Sequence, residues 1–119
     1  MKTREGFVSN SSSTSFLIFN ITREPKTLVD FVNENPQLLG KFKRRYDWYK
    51  DDPAFTHEEM VRNATEKNIT FKPLKATTVV FGDNDGPYGD TTIGHVYDYI
   101  LRDGGASESF RWEFKEYNR

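Results

Sequence analysis

Three stretches of this 119-residue chain gather polar residues closely enough to do chemistry. The first is "GFVSNSSSTSF", Gly6 to Phe16, in which Ser9 to Phe16 hold five serines, a threonine and an asparagine. Hydroxyls and backbone N–H groups at that density suit an anion-binding nest, a modification site or a partner contact centred on Ser11, Ser12 and Ser13. The lysine of a phosphate-binding P-loop is missing, and so is the glycine spacing of a nucleophile elbow. The plain alternative is a polar turn that feeds the strand starting at Ser15.

The second stretch is "GDNDGPYGD", Gly82 to Asp90. It lies between an apolar strand and a helix, where α/β proteins commonly hold ligands. Asp83, Asp85 and Asp90 are oxygen donors of the kind that bind Mg²⁺ or Ca²⁺. An EF-hand is excluded, because placing Gly86 at position 6 puts Phe81 and Thr92 at positions 1 and 12. Asp-Gly and Gly-Pro also form turns, and Asp90 or Thr91 can simply cap the next helix. His95, two residues beyond Ile93, lies off that helix's apolar stripe, where it can lean toward the loop as a general base or sit in solvent. His57 falls in the first turn of another helix, an ordinary exposed position.

The third stretch is "KFKRRYDWYK", Lys41 to Lys50. On a helical wheel Leu38, Phe42, Tyr46 and Tyr49 share a core-facing stripe, while Lys41, Arg44 and Trp48 fall opposite. A helix running to Lys50 would set Arg44 beside Trp48 as a cation–π pair. With Arg45 nearby, that face suits a protein interface, or base stacking in a nucleic-acid site. Asp47, Asp51 and Asp52 and a net charge of −1 weigh against nucleic acid. The alternative is that Trp48 packs inside the molecule.

The elements that must position these residues are legible from periodicity. "SFLIFNI", Ser15 to Ile21, is apolar at both alternating sets of positions, which predicts a central strand covered on both faces. Helices are expected from about Pro25 to Asn35, from Pro36 to about Lys50, from a Thr56–Glu59 capping box to about Lys67, and from Thr91 to Arg102. In the last, Ile93, Val96, Tyr97, Ile100 and Leu101 recur at helical spacing, and Asp103-Gly104-Gly105 ends it. "ITFK" and "TTVVFG" read as a hairpin about Pro73-Leu74-Lys75. "SFRWEFKEY" alternates, Phe110, Trp112 and Phe114 against Arg111, Glu113 and Lys115, as a half-exposed strand. The expectation is a single α+β (α/β) domain over residues 1–119, with 1–14 as a polar arm. Its mixed four-stranded sheet carries about four helices, with a crossover from "TTVVFG" through the Ile93 helix to "SFRWEF".

Composition narrows the function classes. Ten Phe, six Tyr and two Trp must supply much of the core. The absence of cysteine removes disulfides, thiolate catalysis and cysteine-held metals. No apolar run approaches the ~20 residues of a membrane span, and residues 2–15 hold no signal-peptide core. The four Asn-X-Ser/Thr sequons at Asn10, Asn20, Asn63 and Asn68 are therefore read as chance.

"REGFVSNSSSTSFLI" resembles an N-terminal signature, [KR]xGFVSNSSS[ST]SF, of small uncharacterised bacterial and bacteriophage proteins. The stretch "VVFGDNDGPYGDTTIGHVYDYILRDGGASESFRWEFKEY" is similar to the far end of the same family. The resemblance implies a bacterial or phage cytoplasmic origin and brings no activity; residues 22–70 lie outside it. The expected function is a non-enzymatic accessory or binding protein acting through protein contacts. The alternatives are a ligand- or metal-binding enzyme using Asp83–Asp90, and a nucleic-acid binder using Lys41–Lys50.

Overall fold

The computed structural model describes residues 13–47, 51–82 and 91–118. Strand β1, Ser13–Asn20, is followed by β2, Lys26–Thr27, then helices α1, Leu28–Glu34, α2, Gln37–Arg45, and α3, His57–Lys67. Strands β3, Thr70–Phe71, and β4, Ala76–Gly82, lead to α4, Thr92–Ile100, a 3₁₀ turn at Leu101–Asp103, and strands β5, Gly105–Ala106, and β6, Phe110–Asn118.

Side-chain caps decide where the helices begin. Thr27 and Asp30 form a reciprocal capping box, the Thr27 hydroxyl accepting from the Asp30 amide while the Asp30 carboxylate accepts from the Thr27 amide. Helix α1 therefore starts at Leu28 rather than at Pro25, and Lys26–Thr27 is left free to pair as strand β2. Thr56 caps α3 as expected, accepting from Glu59 N at 3.1 Å, but Glu59 turns its carboxylate to Arg62 and Asn63 instead of back to Thr56. Thr91, not Asp90, caps α4 through Gly94 N at 3.0 Å. Buried Asn63 accepts from Ile93 N at 3.1 Å, and Thr92 donates to Ala54 O at 2.8 Å, so α4 is locked onto α3 and the loop before it.

The main sheet has the order β4-β1-β6-β5, and β2 with β3 makes a separate two-stranded sheet. The expected four strands and four helices are present, but "ITFK" does not form a hairpin with "TTVVFG". Phe71 and Thr70 pair instead with Lys26 and Thr27. Buried Asn20 holds that arrangement: its amide donates to Phe71 O and Glu24 O, and its oxygen accepts from the Thr22 amide and hydroxyl. Two of the sequon asparagines, Asn20 and Asn63, are thus buried and engaged, which agrees with reading those sequons as chance. Strands β4 and β6 run the same way on either side of β1, so every hydrogen-bonded pair of the sheet is antiparallel. The connection through α4 passes across β1.

Along β6 the alternation is interrupted. Phe16 faces Phe114 while Ser15 faces Glu116, so Lys115 is an extra, bulged residue. The bulge brings Tyr117, opposite Thr14, onto the same face as Phe114, opposite Phe16.

One core collects the inward face of the sheet and all four helices. Phe16, Ile18, Val79, Phe81, Phe110 and Trp112 meet Leu28, Phe31, Leu38, Phe42, Met60, Ile93, Tyr97 and Leu101. Phe31 is its hub, with ring centroids 5.5 Å from Tyr97, 5.1 Å from Phe110 and 5.2 Å from Trp112, all edge-on. Among the described residues the Tyr97 hydroxyl and the Trp112 indole nitrogen are buried without a hydrogen-bond partner, and burial pushes the Tyr97 hydroxyl's pKa up.

Gly105 is where backbone meets this core. A Cβ there would lie 2.6 Å from Trp112 Cζ2 and 2.9 Å from Cε2, closer than real contacts allow. Trp112 is 4% exposed and held against Phe31, so it has little room to yield. Gly105→Ala is expected to destabilise by about 1–3 kcal/mol, the usual range for overpacking. Chemical denaturation would check this; a change below about 0.5 kcal/mol would show that the indole swings aside freely.

Candidate functional site

The sheet register sets Ser13 beside Gly82, the described ends of two of the polar stretches. Ser13 pairs with Gly82 on one side and Asn118 on the other. Ser11, Ser12, Asp83, Asp85 and Asp90 lie outside the described residues, as does Trp48. Among the described residues no group of three or more His, Cys, Asp or Glu is arranged to hold a metal ion.

Just inside that end is a buried polar knot. The Thr14 hydroxyl donates to Asp98 Oδ1 at 2.6 Å, and Arg102 donates to the same oxygen at 3.0 Å and to the Asp98 carbonyl at 2.7 Å. Asp98 is 1% exposed. The helical i,i+4 spacing places Arg102 one turn beyond Asp98, so α4 itself aligns the pair. The guanidinium lies 4.9 Å from the ring centres of both Tyr99 and Tyr117, and Tyr117 in turn touches Phe114 at 4.9 Å. A carboxylate with two donors on one oxygen is an anchor, not a free base. What this corner offers outward is an aromatic and cationic rim, with Tyr117 52% and Phe114 38% exposed.

The basic end of α2 is arranged differently from the wheel. The helix stops at Arg45, and Tyr46 leaves helical geometry at φ −121°, ψ 79°. The continuous helix to Lys50 that the wheel assumed therefore ends at Arg45, and the Arg44–Trp48 pair expected from i,i+4 spacing falls partly outside the described residues. Leu38 and Phe42 are buried and Tyr46 packs against the core, as the stripe required. Lys41 and Arg45 converge on Asp103 at 3.1 and 3.0 Å, tying α2 to the turn after α4. These hydrogen bonds from Lys41 and Arg45 hold the Asp103 carboxyl below its ordinary range. Arg44 is exposed.

His95 stands in an aromatic cluster. Its ring is 5.7 Å from Phe42, 5.7 Å from Phe55 and 5.6 Å from Tyr99, with Phe42 and Phe55 stacked at 5.7 Å. It packs α4 against α2, where sequence had suggested a solvated residue or a base. His57 bonds Asn33 Oδ1 at 3.0 Å on the surface between α1 and α3.

A carboxylate that sequence did not single out is Glu34. It accepts from the Ser107 hydroxyl and from the Ser109 amide, pinning the loop before β6 to the end of α1. Burial raises its pKa, but these hydrogen bonds and the charge of Lys26 outweigh burial and leave it lowered. Both bonds fall on Glu34 Oε2, so this oxygen serves the fold.

The remaining surface is the face of the sheet turned away from the helices. Because β1 puts Phe16 and Ile18 into the core, Leu17 and Phe19 point the other way, half-buried, and Ile21 follows them at 42% exposed. In the register Leu17 lies between Thr78 and Glu113, and Phe19 between Ala76 and Arg111, with Val80 beside them at 40% exposed. "SFLIFNI" is a central strand as expected, but its two apolar faces meet different fates: all four helices pack on one side. Two-sided apolarity was visible in sequence; which face the described helices cover was not.

Fold and surfaces together define a two-layer α+β domain with helices on one face of an antiparallel sheet and an apolar strip on the other. No helix among the described residues is long and apolar enough to cross a membrane. No protein-family model, curated protein or solved structure matches the chain.

Proposed function

We propose that this is a non-enzymatic binding protein of bacterial or bacteriophage origin that acts in the cytoplasm through protein contacts. The strip of Leu17, Phe19, Ile21 and Val80, which no helix among the described residues covers, carries the reading, because contiguous apolar surface rimmed by charge is the usual mark of a protein interface. Arg111 and Glu113 flank it as an orienting polar rim. Arg44 and the serine segment are secondary contacts, while Lys41 and Arg45 contribute only after yielding Asp103. The origin rests on the resemblance of "GFVSNSSSTSF" to other openings. That Asp98, Glu34 and His95 are engaged in packing or hydrogen bonds supports binding over catalysis.

The register supplies a clean test. Leu17→Lys faces Glu113 and Phe19→Glu faces Arg111, so each new charge meets an opposite one across the strand pair. The double variant is expected to stay within about 1 kcal/mol of the parent in stability. It should also lose the protein that the parent crosslinks in its native host. Equal crosslinking by both proteins would refute the strip as the contact surface.

A further inference from the structure

Among the described residues β4 is an outer strand of the sheet, and its own sequence lacks the features that normally protect an edge. Its sequence, "ATTVVFG", contains no charge and no proline, and its residues pair in unbroken register with β1 from Gly82 to Ala76. The opposite side of the sheet is guarded: beyond two-residue β5, strand β6 carries Glu113, Lys115 and Glu116 and a bulge. The Asn20 amide donates to Lys75 O at 3.1 Å. Counting along the ladder from that bond, residues 77, 79 and 81 bond inward, and Ala76, Thr78 and Val80 turn their N–H and C=O groups outward. All three are exposed.

We propose that β4 pairs antiparallel with β4 of a second copy of this chain, about a two-fold axis at Thr78. In that register Thr78 faces Thr78 of the partner subunit and Ala76 faces Val80 of the partner subunit. On the helix-covered side Thr77 faces Val79 of the partner subunit. Threonine opposite threonine and small apolar opposite branched apolar are favourable cross-strand pairs, and no like charges meet. The two-fold satisfies both copies with one patch, as an isologous interface must. About six backbone hydrogen bonds form from the three outward residues of each strand. The two four-stranded sheets become one continuous sheet, and the apolar strip containing Leu17 and Val80 extends across both copies. The pairing uses the strand edge and stands whether or not the strip binds another protein.

Thr78 is exposed and carries no side-chain hydrogen bond of the fold, so its charge can be changed without touching the core. Sedimentation of the full chain at up to about 0.1 mM should give twice the chain mass. Thr78→Lys alone and Thr78→Glu alone should each sediment as monomers, because each sets like charges face to face. An equimolar mixture of the two should regain the dimer mass. A monomeric parent, a dimer that survives in both single variants, or a mixture that stays monomeric would each overturn the proposal.

Discussion

Asp98→Ala is expected to destabilise this protein by about 3 kcal/mol, the lower end of the range for breaking a buried ion pair. The side chain is 1% exposed and accepts from both Thr14 and Arg102, so its removal leaves a buried hydroxyl and a guanidinium without their acceptor. Two features keep the cost from reaching the upper end. Arg102 is 30% exposed on its side chain and can recover some hydration, and it keeps its bond to the Asp98 carbonyl and its stacking on Tyr99 and Tyr117. Asp98→Asn retains an acceptor for Thr14 while losing the charge, and should cost about 1–2 kcal/mol. Urea unfolding of the three proteins would measure the series. If alanine cost under 1 kcal/mol, the knot would be an accessory of the fold rather than the clasp between β1 and α4.

Phe31→Ala should be at least as damaging, at about 3–5 kcal/mol. The ring is fully buried and meets Tyr97, Phe110 and Trp112 edge-on, so its loss removes three aromatic contacts and leaves a hole bordered by α4 and β6. Those neighbours cannot collapse easily, since Trp112 is wedged against Gly105 and Tyr97 also packs on Phe81. Phe31→Leu, which refills much of the volume, should recover more than half of the loss. Thermal or denaturant unfolding followed through Trp112 fluorescence would read both. Equal destabilisation by alanine and leucine would mean that ring geometry, not volume, holds the centre.

The helices were largely legible because their signals are local. The stripe from Ile93 to Leu101, the Thr56 and Thr91 caps and the glycine stop after Asp103 each involve residues within a few positions of one another. Where sequence misplaced a strand, a distant residue intervened. The Thr27–Asp30 capping box starts α1 at Leu28, and Lys26 and Thr27 then pair with Phe71 and Thr70 from the far side of α3. That pairing also removed the expected hairpin, and the fourth strand of the main sheet became a short one at Gly105–Ala106 that no periodicity could mark. The α2 wheel placed Leu38, Phe42 and Tyr46 correctly but assumed a helix to Lys50, whereas α2 ends at Arg45 where Tyr46 leaves helical geometry.

The candidate site divides in the same way. From sequence alone came the strand with two apolar faces, the polar serine run that leads into it and the chemistry excluded by the lack of cysteine. Only the tertiary structure decided that the helices all lie on the Phe16 and Ile18 side, leaving Leu17, Phe19 and Ile21 on the other. It also decided that Ser13 meets Gly82, that Thr14, Asp98 and Arg102 join across 84 to 88 residues of chain, and that β4 ends as an edge. Hydrophobic periodicity records whether a face can be buried, a property of neighbours along the chain. What buries it depends on contacts between elements far apart in sequence, and those are selected by the packing of the whole core.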